Sequence, residues 1–179
     1  MAPSTMSRSL HDLGLAAWFG GTLANAVALN PASGQASHSA DRAQVANTGW
    51  DRWAPVNAAA IGMHLAGSVG QLASNKSRLA AQSGVGTMAI VKTGVTAAAL
   101  GVTAYSRLLG KKMSANAAVP VEDATTPAAQ TPPEVAAAQK QLALLQWAVP
   151  ALTGTLVVIS SFAGEQQRPT TVVRKLFKR

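Results

Sequence analysis

LALLQWAVPALTGTLVVISSFA, residues 142–163, is the stretch that decides the fold class of this chain. It contains no Asp, Glu, Lys or Arg. As a helix it would extend about 33 Å, at about 1.5 Å per residue. A hydrocarbon core is about 30 Å thick, so an uncharged helix of this length is typical of a membrane span.

Three further stretches, residues 13–29, 53–73 and 84–105, have the same character. The four stretches together hold one of the chain's 22 formal charges (15 Lys and Arg with 7 Asp and Glu), and that charge is Lys92. A helix of a soluble protein normally carries a charged face beside its apolar stripe, which these stretches lack. We therefore predict an all-α polytopic membrane protein, a four-transmembrane-helix bundle that forms a single membrane domain over 1–179.

The predicted helices have approximate bounds of 10–29, 53–73, 84–108 and 132–163. Residues 30–49 are rich in Ser, Asn and Gly and begin with Asn-Pro, which predicts a surface loop. Residues 114–131 contain Pro120 and Pro127 within a polar run and predict a flexible loop. The last helix would begin at a capping box, Thr-Pro-Pro-Glu at 131–134, and so would start before the membrane.

The chain has no cysteine, which excludes disulfides, thiolate metal sites and cysteine nucleophiles. It also has no HExxH, P-loop or dinucleotide-binding sequence and no pair of carboxylates within one apolar stretch. These observations predict a protein that is not an enzyme and that carries no cofactor or metal of its own.

In a membrane protein the net charge of +8 indicates contact with anionic lipid, and we expect no nucleic-acid partner. The basic tail, residues 165–179, carries four cations in its last six residues, namely Arg174, Lys175, Lys178 and Arg179. This tail could bind anionic lipids, at about 1 kcal/mol per cation, or serve only as a solvated end that fixes topology. With four spans, eight cations share a side with both termini and six lie opposite, which predicts a plasma-membrane protein with cytoplasmic termini.

Small residues recur at four-residue spacing in the first three predicted spans. These residues are Ala16, Gly20 and Ala24, then Ala58, Gly62, Ala66 and Gly70, then Gly94 and Ala98. Smooth ridges of this kind let helix backbones approach closely in lipid. The ridges could pack the helices of this chain together, or at least one of them could dock on another protein.

Lys92 is the most informative single residue, because placing a cation at the centre of a bilayer costs about 2.5–3.5 kcal/mol on insertion scales. Three interpretations are open for it. The side chain could reach the cytoplasmic surface, it could hydrogen-bond to polar groups inside the bundle, or it could meet an anionic group supplied from outside, such as a carboxylate, a haem propionate or a lipid phosphate.

His11 and His64 are the candidate ligand nitrogens near membrane depth. Counted from the predicted span ends, their depths differ by a third of the bilayer or more. A shared haem or metal site would therefore require the first helix to slide inward. Interhelical hydrogen bonding is the expectation for both imidazoles.

The run HDLGLAAWFGG, residues 11–21, is similar to the opening pattern of four-span copper-resistance D-like membrane families. That resemblance implies His11 as a metal or haem contact. Together with NAAAIG at 57–62, the chain also resembles actinobacterial four-span proteins, including association-factor subunits of the cytochrome bcc-aa3 respiratory supercomplex. This second resemblance implies a non-catalytic subunit between two oxidoreductases.

We therefore expect a non-catalytic accessory or assembly subunit of a larger membrane complex, in a respiratory electron-transport chain. Its expected partners are other integral membrane subunits, with cytochrome bcc and cytochrome aa3 oxidase first, and anionic lipids. The alternative is a four-helix membrane haem- or copper-binding protein, or a small transporter.

Overall fold

Four long helices make up most of the chain that the computed structural model describes, residues 3–76, 83–115 and 118–166. The helices are α1 (Pro3–Ala24), the short α2 (Asn30–Ser33), α3 (Ser39–Ser74), α4 (Ser83–Ser114) and α5 (Pro133–Gln166). In these ranges extended structure is limited to one bridge between Val121 and Pro127. The all-α prediction is confirmed. Four cations of the basic tail, Arg174, Lys175, Lys178 and Arg179, lie outside the described residues.

Two of the helices are long and apolar enough to cross a membrane, over Gly86–Ser114 in α4 and Pro133–Phe162 in α5. In α4 only 6% of the most apolar stretch is buried inside the chain, so its apolar side chains face outward. That outward apolar surface is consistent with membrane association. In the described ranges α1 and α3 do not reach the same apolar content.

The long helices form two antiparallel hairpins, α1 with α3 and α4 with α5. The hairpins join mainly along α1 and α5, whereas α3 and α4 touch each other little. A cluster of buried residues takes one side chain from each long helix, namely Trp18, Ala60, Ala99 and Val149. At this cluster all four long helices meet through buried side chains. A groove remains between α3 and α4.

Glycines hold α1 and α3 together at close range. A Cβ atom on Gly14 would meet the carbonyl oxygen of Ala60, and one on Gly67 would meet the backbone of His11. The indole ring of Trp53 lies directly over Gly21. Gly14 and Gly21 are seven residues apart, as are Ala60 and Gly67, so the interface follows a heptad spacing along both helices.

The predicted four-residue ridges are therefore not the packing faces within this chain. Eight of their nine members are exposed in the described structure: Ala16, Gly20, Ala24, Ala58, Gly62, Ala66, Gly94 and Ala98. Gly70 is the exception, since its Cα faces the side chain of Ser7. Alanine and glycine are so frequent here that several small-residue stripes run along each helix, and spacing alone could not select the buried one.

The region predicted as a surface loop, residues 30–49, is largely helical. α3 begins at Ser39, 14 residues before the predicted start at 53, and it buries Ala43 and Ala46. Ahead of it, a π-helical turn over Asn25–Leu29 leads into α2, and the N–H of Asn30 donates to the carbonyl of Asn25. Pro31 lacks an N–H and would clash with an α-helical carbonyl four residues back, so the wider turn accommodates it.

The segment predicted to be a flexible loop, 114–131, is folded where the structure describes it: Ser114 is the last residue of α4, and 118–131 form a folded loop. The Asp123 carboxylate accepts hydrogen bonds from the backbone N–H groups of Thr125 and Thr126, at 2.7 and 2.8 Å. Gln139 at the start of α5 donates to the Asp123 carbonyl, and Val121 is buried. Side-chain hydrogen bonds thus give a fixed path to a sequence without helical or strand periodicity.

Candidate functional site

His11 and His64 lie side by side in the α1–α3 hairpin. Their ring centroids are 4.5 Å apart, and the two residues are only 1% and 0% exposed. The expectation that their depths differ by a third of the bilayer is wrong. α1 begins at Pro3, seven residues before the predicted start at 10, so His11 lies well inside the helix and at the level of His64.

Both ring nitrogens of His11 have polar neighbours. Nδ1 lies 2.7 Å from Oδ1 of Asp12, and Nε2 lies 3.2 Å from Nζ of Lys92. This geometry suits an imidazole that donates from Nδ1 to the carboxylate and accepts at Nε2 from the ammonium group. Lys92 thus meets a polar group inside the bundle, and the contact connects α4 to α1.

His64 is also fully buried in the same cluster. Its Nδ1 lies 3.4 Å from the backbone oxygen of His11, and the ring of Trp18 follows at 6.1 Å between centroids. Nε2 of His64 and Nε1 of Trp18 are buried without a hydrogen-bond partner within the described chain. The His11–His64 pair therefore acts first as an interhelical contact, in agreement with the hydrogen bonding expected from sequence.

A cavity of about 420 Å³ opens beside the His11–Lys92 contact, where α1, α3, α4 and α5 meet. Two cations, Arg8 and Lys92, and one carboxylate, Asp12, line it. Gln71 Nε2 and Ser160 Oγ also belong to its lining and are buried without a hydrogen-bond partner in the described chain. The cavity is therefore polar and carries charges of both signs.

The cluster does not have the donor set of a metal centre. Among the described residues no group of three His, Cys, Asp or Glu is placed to hold a metal ion. The Nε2 atom of His11 faces the ammonium group of Lys92, and a cation at that position competes with a metal ion for the same lone pair. Two imidazoles are already two ligands short of the usual four-coordinate site, and the contact with Lys92 engages a nitrogen of one of them.

A second cavity, of about 430 Å³, is the groove between α3 and α4, with α5 as its floor. We call it the α3–α4 groove. Most of its lining is apolar, but four polar atoms in it are buried without a partner in the described structure: Asn47 Nδ2, Trp53 Nε1, Asn57 Oδ1 and Thr103 Oγ1. Sequence reasoning missed this groove. The signal available was the occurrence of Asn57 in an otherwise apolar stretch.

Comparisons of the chain with family models, with curated proteins and with solved structures found no match. The similarity of residues 11–21 and 57–62 to membrane-protein families thus stays a prediction. The features of the described chain that bear on its function are the exposed surface of α4, the His11–Lys92 cluster and the α3–α4 groove.

Proposed function

We propose that this protein is a non-catalytic accessory subunit of a larger membrane complex. Its four long helices cross the plasma membrane, and both termini lie in the cytoplasm. The single observation that carries the proposal is the outward surface of α4, an apolar helix of which the rest of the described chain covers very little.

That surface combines large apolar side chains with bare backbone. Ile90 is 74% exposed and Leu108 is 65% exposed. Between them, Gly94 and Gly101 have nothing within 4 Å of the position that a Cβ atom would take, and Ala98 is exposed as well. The side of α4 that does not contact the other helices therefore has small residues at its centre and large apolar side chains towards its ends.

Such a surface supports docking on another membrane helix. In lipid, helices associate through dispersion contacts and not through apolar burial, so they gain most where small residues let two backbones approach. The exposed stripe at Gly94 and Gly101 offers that approach, and Ile90 and Leu108 would fit against the partner on either side. The resemblance noted for residues 57–62 makes cytochrome bcc and cytochrome aa3 oxidase the first partners to test.

The experiment is co-purification from the native membrane. Tagged full-length protein is extracted in a mild detergent and separated by native electrophoresis, and each band is analysed by mass spectrometry. We expect a band of much higher mass than the 18.2 kDa chain, containing other integral membrane subunits. A single monodisperse band of the lone protein would overturn the proposal.

The double variant Gly94→Leu/Gly101→Leu is expected to move most of the protein out of the high-mass band. The new side chains meet open space within the chain, so they fill only the surface offered to a partner. Gly20→Leu/Gly62→Leu is the matched control, because these glycines on α1 and α3 are equally open. Loss of the high-mass band in the control alone would assign docking to the other hairpin and contradict the role of α4.

Haem or copper binding is the second candidate function, and the adjacency of His11 and His64 is the observation that favours it. We expect the isolated protein to show no Soret band and no stoichiometric copper, because both nitrogens of His11 already have polar neighbours. An absorbance spectrum and a metal analysis measure both. One haem or copper per chain, lost in His11→Gln or His64→Gln, would replace the subunit proposal with a cofactor-binding function.

A further inference from the structure

We propose that the α3–α4 groove binds one uncharged amphipathic lipid of the diacylglycerol class, with ester carbonyls and a hydroxyl in its head group. The subunit role does not require this site, but the inference rests on the proposed crossing of the membrane by α3 and α4. The groove lies on a different side of α4 from the exposed stripe at Gly94 and Gly101. The inference rests on three properties of the groove: unsatisfied polar atoms, absence of free charge, and an apolar wall that is open between two helices.

The polar atoms supply the first argument. Buried polar groups in folded proteins are nearly always hydrogen-bonded, and an unpaired one costs free energy, most of all where no water is present. In the groove Trp53 Nε1 and Asn47 Nδ2 are donors, Asn57 Oδ1 is an acceptor, and the Thr103 hydroxyl can be either. Asn57 itself is buried, at 9% exposure. An occupant with both an acceptor and a donor in its head group would match this set of atoms.

The charge of the lining supplies the second argument. Arg107 is the one residue with a formal charge among the described residues that line the groove. Its guanidinium group lies 2.9 Å from the carboxylate of Asp51, which neutralises it. An anionic head group would therefore find no unneutralised cation here, whereas an ester carbonyl and a hydroxyl match the neutral donors and acceptor.

The apolar wall supplies the third argument. Ile61, Leu100, Leu142 and Val149 belong to the lining, and α3 and α4 make few contacts along it. Hydrocarbon chains can thus enter between the two helices without displacing a packed interface. The volume of about 430 Å³ falls in the range of roughly 300–1,000 Å³ that small-molecule sites occupy. The groove is large enough for a head group and part of a chain.

The test measures binding of dioleoylglycerol to the full-length protein in detergent by native mass spectrometry. Dioleoyl phosphatidylglycerol, which has the same chains and an anionic head group, is the comparison lipid. We expect one dioleoylglycerol per chain and at least about tenfold weaker binding of the anionic lipid. Equal binding of the two lipids, or no adduct with either, would overturn the proposal.

The variant Trp53→Phe/Thr103→Val removes two of the polar atoms and keeps the apolar shape of the groove. It is expected to weaken dioleoylglycerol binding about tenfold, since each lost hydrogen bond changes affinity by a factor of a few. Trp147→Phe/Thr93→Val is the matched control: Trp147 and Thr93 are exposed and outside the groove, and Thr93 Oγ1 donates to Ala89 of its own helix. Equal weakening of dioleoylglycerol binding in both variants would contradict the site. If a variant does not fold, the comparison of the two lipids on the unmodified protein tests the proposal.

Discussion

Replacement of Gly67 by leucine is expected to lower the free energy of unfolding by about 3 kcal/mol, because the new side chain would be forced against backbone atoms. A Cβ atom at this position already meets the main chain of Ser7 and His11. Main-chain atoms of a helix cannot move aside as a flexible side chain can. α1 and α3 would have to separate, and the His11–His64 contact would be lost with them. Unfolding by sodium dodecyl sulfate, followed by circular dichroism, measures the change.

Gly62→Leu is the matched control for this prediction. It lies on the same helix, and its Cα faces open space. Leucine favours helix over glycine by up to about 1 kcal/mol, so the control should be unchanged or slightly more stable. A similar loss of unfolding free energy in Gly62→Leu and Gly67→Leu would mean that the loss does not come from separation of α1 and α3. That result would contradict the close α1–α3 interface.

Single cysteines at Ser37 and Ser74 are expected to be labelled from opposite sides of the membrane. Both positions are exposed; Ser37 precedes α3 and Ser74 is its last residue. The chain has no other cysteine, so a membrane-impermeant maleimide reports each site without background. If both termini lie in the cytoplasm, as proposed, Ser37→Cys should react in intact cells, whereas Ser74→Cys should react only after permeabilisation.

The same experiment distinguishes four crossing helices from two. If only α4 and α5 cross, Ser37 and Ser74 lie on one side and their cysteines react alike. Ala129→Cys, in the folded loop before α5, serves as the reference, because it lies opposite Ser74 in either topology. Parallel labelling of Ser37→Cys and Ser74→Cys, with Ala129→Cys different, would contradict the crossing of α1 and α3.

The helical character of the chain could be predicted from its uncharged stretches, but the ends of the helices could not. Each uncharged stretch is bounded by the nearest charged residues. A helix can extend past those residues where their side chains are solvated or form ion pairs. α3 extends through Asp41, Arg42 and Asp51 for this reason: Arg42 pairs with Glu122, and Asp51 pairs with Arg107. These partners lie 80 and 56 positions away, beyond the reach of local patterns.

The residues of the His11–Lys92 cluster could be selected from the sequence, since imidazoles and a lone cation are rare in apolar stretches. Their arrangement could not, because it depends on how far α1 slides along α3. That register is fixed by Gly14 and Gly67, which accept the opposing backbone, and not by the more regular four-residue ridges. The α3–α4 groove could not be predicted, since the space between two helices depends on how they pack and not on a local sequence pattern.

The folded loop over 118–131 limits how a molecule could reach the α3–α4 groove. Its backbone donates from Val121 to the carbonyl of Ser39 and from Ala124 to the hydroxyl of Ser33, so it fastens the start of α5 to the start of α3. The Arg107–Asp51 ion pair joins α4 to α3 at the same end. These contacts tie that end of the groove, and the open side between α3 and α4 would face the bilayer if both helices cross the membrane as proposed. Only molecules already dissolved in the membrane would then be admitted.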